Sequence, residues 1–121
     1  MSGFNTRAIH VGSEPDALTG AVNPPVYLTS TYAQDGVGVP RFSDYGGVDN
    51  PTRAALETCL AGLEEASYGV AFASGLAGED ALLRSLSPGD HVVLGDDAYG
   101  GTYRLLTRIF ANWASACRAS T

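Results

Sequence analysis

Lysine is absent from all 121 residues; the basic side chains are seven arginines, Arg7, Arg41, Arg53, Arg84, Arg104, Arg108 and Arg118. A phosphate-binding loop of the Walker type needs a Gly-Lys pair and is excluded. Cysteine is scarce: Cys59 and Cys117 stand far apart, with neither the spacing of a disulfide framework nor that of a zinc site. The pattern suits a reducing cytoplasm. His10 and His91 have no cysteine or carboxylate at metal-ligand spacing. No apolar run is long enough to span a bilayer, and the opening MSGFNTRAIHVG lacks the apolar core of a signal peptide. Positive charge is in deficit. The formal net charge of −6 argues against a nucleic-acid partner, which requires a basic face.

What is present looks globular, with 45% hydrophobic and 17% charged residues. Tyr68–Ala73 is a short apolar run suited to a buried strand. Ser74-Gly75 interrupts it, and Leu76, Ala77, Ala81, Leu82 and Leu86 follow at helical spacing. Ser87-Pro88-Gly89-Asp90 is a turn, because proline presets one torsion and glycine accepts another that most residues resist. His91–Leu94 reads as a second buried strand, ended by Gly95-Asp96-Asp97. The sum is a βαβ unit of an α/β fold.

Residues 1–50 show no amphipathic period. Val22–Tyr27 must be extended, since each residue before Pro24 and Pro25 is pushed out of the helical region. So much apolar content without a periodic element suggests an arm laid on another subunit. At Asp49-Asn50-Pro51-Thr52 a helix begins, with Asn50 as N-cap and Pro51 at the first helical position. Leu56, Cys59, Leu60 and Leu63 then give a single buried stripe to about Glu65. A last helix, 101–113, buries Leu106, Ile109, Phe110 and Trp113. Residues 114–121 carry no strand or helix signature. Two parallel strands leave most sheet edges unpaired, so the chain reads as a piece of something larger.

The turn at 74–76 carries the chemistry. A strand passing through Ser-Gly into a helix leaves free backbone N–H groups at the positive end of the helix dipole, which attracts phosphate; plain capping by Ser74 is the simpler account of the same residues. The glycine spacing of a nucleophile elbow fails, because Phe72 and Leu76 flank Ser74 at the required positions. Asp96-Asp97 marks a strand end, where ligands collect in such folds, or an ordinary turn. Tyr99 lies just past the second strand, on the same sheet edge, and its ring can stack on a flat ligand. Phosphate plus an aromatic ring suggests pyridoxal phosphate or a nucleotide.

Four ordered motifs carry a resemblance. Thr6-Arg7-Ala8-Ile9-His10-Val11-Gly12, Thr19–Tyr27 with Thr29–Tyr32, Asp49–Arg53 with Leu56-Glu57, and Ala73–Ala77 with Asp97–Thr102 are similar to stretches of the Cys/Met-metabolism family of pyridoxal-phosphate enzymes. Cystathionine γ-synthase and cystathionine γ-lyase belong to that family. The resemblance covers residues 4–113. It implies an α/β fold, the N-terminal part of a fold-type I (aspartate-aminotransferase-like) large domain. The divisions are an inter-subunit arm at 1–50, the start of the cofactor-binding domain at 51–113 and a tail outside the family at 114–121. It further implies pyridoxal 5′-phosphate as cofactor, a small amino-acid substrate and a homo-oligomer of the family's tetrameric type. Gly75 and Leu76, with Ser74, would hold the phosphate; the family usually has methionine where Leu76 stands. Tyr99 would stack on the pyridine ring, and Tyr45 would reach the phosphate of a neighbouring subunit.

Two departures matter. Gly46-Gly47 follows Tyr45 where the family has Ser-Arg, so the arginine of the cross-subunit phosphate clamp is missing, and Arg41 is a weak substitute. The family's Schiff-base lysine, and the aspartate that pairs with the ring nitrogen, lie downstream of the region matched. Without lysine the chain is expected to be catalytically inactive, a truncated or frame-shifted piece of a transsulfuration enzyme. The parent would perform γ-replacement on an activated homoserine or γ-elimination on cystathionine, and overall similarity of the arm leans towards the synthase. The alternative is a non-catalytic fragment that docks on full-length subunits.

Overall fold

A computed structural model describes residues 3–112 and 118–120. The chain divides into two compact units, Met1–Ala71 and Phe72–Thr121.

The first unit is built on helix α2, Pro51–Leu63. Its start is the one the sequence indicates: the Asn50 side chain accepts from the Thr52 N–H at 2.9 Å, and Pro51 occupies the first turn. The same two residues fasten segment 22–28. The Asn50 amide donates to the Tyr27 carbonyl at 3.1 Å, and the Thr52 hydroxyl accepts from the Tyr27 N–H at 2.9 Å while donating to the Pro25 carbonyl at 3.3 Å. Residues 24–28 belong to no helix or strand, and this clamp gives backbone groups of Pro25 and Tyr27 their partners.

The first fifty residues are more ordered than their pattern suggests. Phe4–His10 forms a short helix, α1, that packs on α2. Its periodicity is too brief to register, and tertiary contact supplies the order. Val11 sits against Gly62, and Gly12, at φ +75°, brings its Cα against the α2 backbone, where an added Cβ would lie 3.0 Å from the Cys59 nitrogen. This close approach changes the buried face of α2. Ala61 is buried, whereas Leu56 and Leu60, expected in the core, are exposed. A two-stranded antiparallel hairpin, β1 (Gln34–Gly36) and β2 (Val39–Pro40), and an isolated bridge between Thr31 and Tyr45 complete the unit. The division after Ala71 thus keeps the arm and α2 together, whereas the sequence pattern breaks at residue 50.

The second unit holds α3 (Gly75–Leu83), β3 (Val93–Gly95), α4 (Gly100–Arg104), a π-helical turn (Leu105–Ile109), a 3-10 turn (Phe110–Asn112) and β4 (Arg118–Ser120). Its core is Leu83, Leu106 and Phe110, with Leu86, Val92, Leu94 and Leu105 packed around them. The Ser87–Asp90 turn forms as expected, with Gly89 at φ +99° and the Asp90 carboxylate accepting from the Ser87 N–H at 2.7 Å.

Four expectations are corrected here. Residues 68–73 join no ladder among the described residues; the observed anchor in this stretch is the Ala71 N–H, which donates to the Glu57 carboxylate at 2.8 Å. Helix α3 buries Leu83, while Leu76 is partly and Leu82 fully turned outward. The last helix is not a single α-helix. Its π turn widens the coil, so Leu106 and Phe110 stay inside while Ile109, expected in the core, is 62% exposed; Trp113 lies outside the described residues. Finally, the 114–121 stretch contains a strand. β4 pairs in parallel with β3, matching Val93 with Arg118, Leu94 with Ala119 and Gly95 with Ser120. Arg-Ala-Ser has weak strand propensity, and the free edge of β3 supplies the order instead.

Candidate functional site

Four of the five residues singled out in the sequence fall in the second unit. The segment ending at Ala73 turns into α3 through Ser74, whose backbone is extended at φ −157° and ψ 158°. The Ser74 hydroxyl caps the helix by accepting from the Ala77 N–H at 3.1 Å. That bond uses a lone pair and leaves the hydroxyl proton free to donate. The N–H groups of Gly75 and Leu76 precede the first intrahelical bond and have no acceptor among the described residues. A Cβ placed at Gly75 would meet nothing within 4 Å. Two free N–H groups, a hydroxyl proton and an open approach converge at the positive end of a nine-residue helix, a donor set suited to a phosphate dianion.

Tyr99 follows β3 and is the N-cap of α4; the residue is 74% exposed. Its ring turns forward along the chain onto Gly101, which is buried. An exposed aromatic face, held at one edge, is what stacking on a flat heteroaromatic ring requires. Taken separately, the donor set suits the phosphate and the ring suits the aromatic face of a phosphorylated pyridine. Beside them, Leu94, Gly95, Asp96, Ala98, Tyr103 and Thr107 line a cleft of about 400 Å³ at the carboxyl end of β3. Asp96 was legible as a strand-end carboxylate, but Tyr103 and Thr107 were not. Both sit on the helix that follows, where the pattern signals only packing.

Tyr45 belongs to the first unit and is about half exposed. Its backbone bridges to Thr31, and its ring folds onto Gly47. Gly46 lies under the Thr29 carbonyl, where a Cβ would come within 2.7 Å of the oxygen. This close approach gives a local reason for glycine after Tyr45. Arg41, the weak substitute for the missing clamp arginine, is paired with Asp35 through its Nη2 at 2.6 Å. A groove of about 470 Å³ between Pro24, Pro25, Tyr27 and the start of α2, and another of about 440 Å³ along α2 and residues 66–69, include none of these side chains. Among the described residues there is no cluster of three or more potential metal ligands, and no helix is long and apolar enough to cross a membrane.

Comparison with known proteins identifies the family. A probable cystathionine γ-synthase of Herpetosiphon aurantiacus is 58% identical over 107 residues, which are 88% of this chain and 34% of that protein. A cystathionine β-lyase of Coxiella burnetii is 52% identical over 108 residues, 89% of this chain and 28% of its own length. Among solved structures, metB of Corynebacterium glutamicum superposes with a TM-score of 0.92 at 47% identity, covering 99% of this chain and 32% of that one. The chain thus spans about a third of the length of such relatives. The family profile matches residues 5–120, past residue 113 where the recognisable motifs end. By that match the chain belongs to the pyridoxal-phosphate-dependent enzymes of Cys/Met metabolism.

Proposed function

We propose that the chain is the N-terminal part of a transsulfuration enzyme of the cystathionine γ-synthase type, contributing the phosphate and ring contacts of the cofactor site. The observation that carries this reading is the family match over residues 5–120. Gly75 and Leu76 donate their free N–H groups to the cofactor phosphate, Ser74 adds its hydroxyl proton, and Tyr99 covers one face of the pyridine ring. Tyr45 serves the phosphate of a neighbouring subunit in a homo-oligomer. The bound cofactor supplies an electron sink for chemistry at the carbon skeleton of an amino-acid substrate. The chain itself has no lysine to hold the cofactor covalently or to move protons for it, so alone it binds without turnover. Relatives named as synthase and as β-lyase both match above 50% identity, and the synthase match is the higher.

The test is a titration of the chain with pyridoxamine 5′-phosphate and with pyridoxamine, neither of which has an aldehyde to react with the terminal amine. The phosphorylated compound should bind at least tenfold more tightly, and Ser74→Ala should narrow the gap. Equal affinity for the two would remove the phosphate seat from the proposal.

A second reading is favoured by the exposed apolar side chains of the first unit, among them Leu28 and Val26: the chain docks on full-length subunits without catalysing. Native mass spectrometry of the chain mixed with a full-length homologue decides this. Hetero-oligomers would support it, and their absence would end it.

A further inference from the structure

We infer that Gly101 is a positioning residue, a seat that fixes the plane of the Tyr99 ring for stacking; the inference rests on the cofactor reading above. An ideal Cβ at Gly101 would overlap Cε1 of Tyr99 and stand 3.0 Å from its Cδ1 and 3.4 Å from its Cζ. These contacts run along one edge of the ring, from Cδ1 to Cζ, so that edge abuts the Gly101 Cα. Gly101 is buried although it stands in the first turn of α4, beside a tyrosine that is 74% exposed. The ring supplies cover on that side, and its outer face remains open. A glycine in a helix costs stability relative to alanine, and the backbone gives no compensating reason here, because Gly101 does not have the positive φ that would require glycine. The reason left is the space occupied by the ring.

Gly100 shows the contrast. A Cβ there would meet only the far end of the Arg104 side chain, at 3.4 Å. An independent copy of the device stands in the first unit, where the ring of Tyr45 lies over Gly47, with Cζ 3.0 Å and Cδ1 3.1 Å from the position of a Cβ. Both tyrosines assigned to the cofactor are thus followed, two residues on, by a glycine that their own ring covers.

The consequence is entropic and geometric. A ring free to rotate about χ1 loses that freedom on stacking, whereas a seated ring has already lost it. Gly101→Ala should move the ring off its plane while leaving α4 helical.

The experiment uses the 121-residue chain with pyridoxamine 5′-phosphate as probe. Affinity is followed by fluorescence, and circular dichroism of the pyridine band is read per bound molecule. Gly101→Ala should weaken binding roughly three- to tenfold, the scale of one aromatic stack, and shrink the induced dichroism at saturation. Tyr99→Ala should do the same, and the double variant should be no worse than Tyr99→Ala alone. Gly100→Ala should match the unsubstituted chain. A purely structural defect would lower the fraction of chain that binds without changing the signal per bound molecule. Unchanged binding and dichroism in Gly101→Ala would overturn the seat, as would an equal loss from it in the Tyr99→Ala background. The ring seat also has a reading without ligand: the Gly101 α-proton resonances should be displaced by the Tyr99 ring current, and the displacement should vanish in Tyr99→Ala. If the unsubstituted chain ignores the probe but shows that displacement, the cofactor reading fails while the seat stands; no displacement overturns the seat.

Discussion

Glu65 shows how a residue against the local rule is held in place. It has φ +55°, a left-handed conformation costing a non-glycine residue about 1 kcal/mol, because it ends α2 in a Schellman turn. The Ala66 N–H donates to the Ala61 carbonyl at 2.9 Å, and Glu64 to Leu60 at 3.0 Å. The compensation is an ion pair from the Glu65 carboxylate to Arg7 Nη1 at 2.9 Å. Since Glu65 is largely exposed, that pair contributes at most about 1 kcal/mol. Glu65→Gly, which relieves the backbone and loses the pair, should leave stability nearly unchanged; Glu65→Gln, which only loses the pair, should lower it by up to about 1 kcal/mol. Denaturant midpoints of the two variants check the order, and a glycine variant less stable than glutamine would refute the account. Asp16 offers a pH test. Its side chain accepts from the Thr19 hydroxyl at 2.7 Å and the Thr19 N–H at 2.8 Å, and these bonds hold its pKa below the usual 3.8. A lowered carboxylate pKa means the turn is favoured while Asp16 is ionised: the contribution is complete above 3.8 and disappears as pH falls through the lower, folded value. The Thr19 amide resonance, followed on acidification, should therefore move with a midpoint below 3.8; a midpoint at or above it contradicts the turn.

Helix α2 is the element where sequence and structure agree best at one end and part at the other face. Its start was legible because Asn50 and Pro51 act within four residues of themselves, and capping needs no partner from elsewhere. The buried face was not. Leu56 and Leu60 have the right spacing, yet the packing surface is set by the small residues Gly12 and Gly62, which let backbone approach backbone. Hydrophobic periodicity is blind to glycine. Periodicity also misses the π turn, which turns Ile109 outward by changing the repeat, and the edge pairing that makes Arg118–Ser120 a strand through a partner distant in sequence. In the site, the capping serine and the aromatic residue after the strand could be read from chemistry, whereas the Tyr99–Gly101 contact needs coordinates. Thr52 yields a prediction at this scale. Thr52→Val keeps the shape but removes its two bonds to Tyr27 and Pro25, each worth about 1 kcal/mol. Hydrogen exchange at the Tyr27 amide should quicken roughly five- to thirtyfold, which is what 1–2 kcal/mol corresponds to. Unaltered protection there would mean that the arm is held by something other than this clamp.

For the whole chain the decisive quantity is how little apolar surface it hides. Of the large hydrophobic side chains only Leu83, Leu106 and Phe110 are buried among the described residues, all three in the second unit. Leu18, Leu28 and Val37 are more than nine-tenths exposed. Three buried side chains and their partly buried neighbours make a small core for a chain of 121 residues, so the order of its two units is marginal. Relatives about three times as long have further chain that could cover the outward faces of α2 and α3. The chain alone should therefore melt over a broad, weakly cooperative range and bind the dye ANS before heating. Adding a second polypeptide that matches the remaining two-thirds of a close relative should sharpen the transition and suppress the dye signal, because the same leucines would then be covered. A sharp calorimetric transition of the isolated chain, without dye binding, would show that its two units close cores of their own, and the case for a missing partner surface would fall with that result.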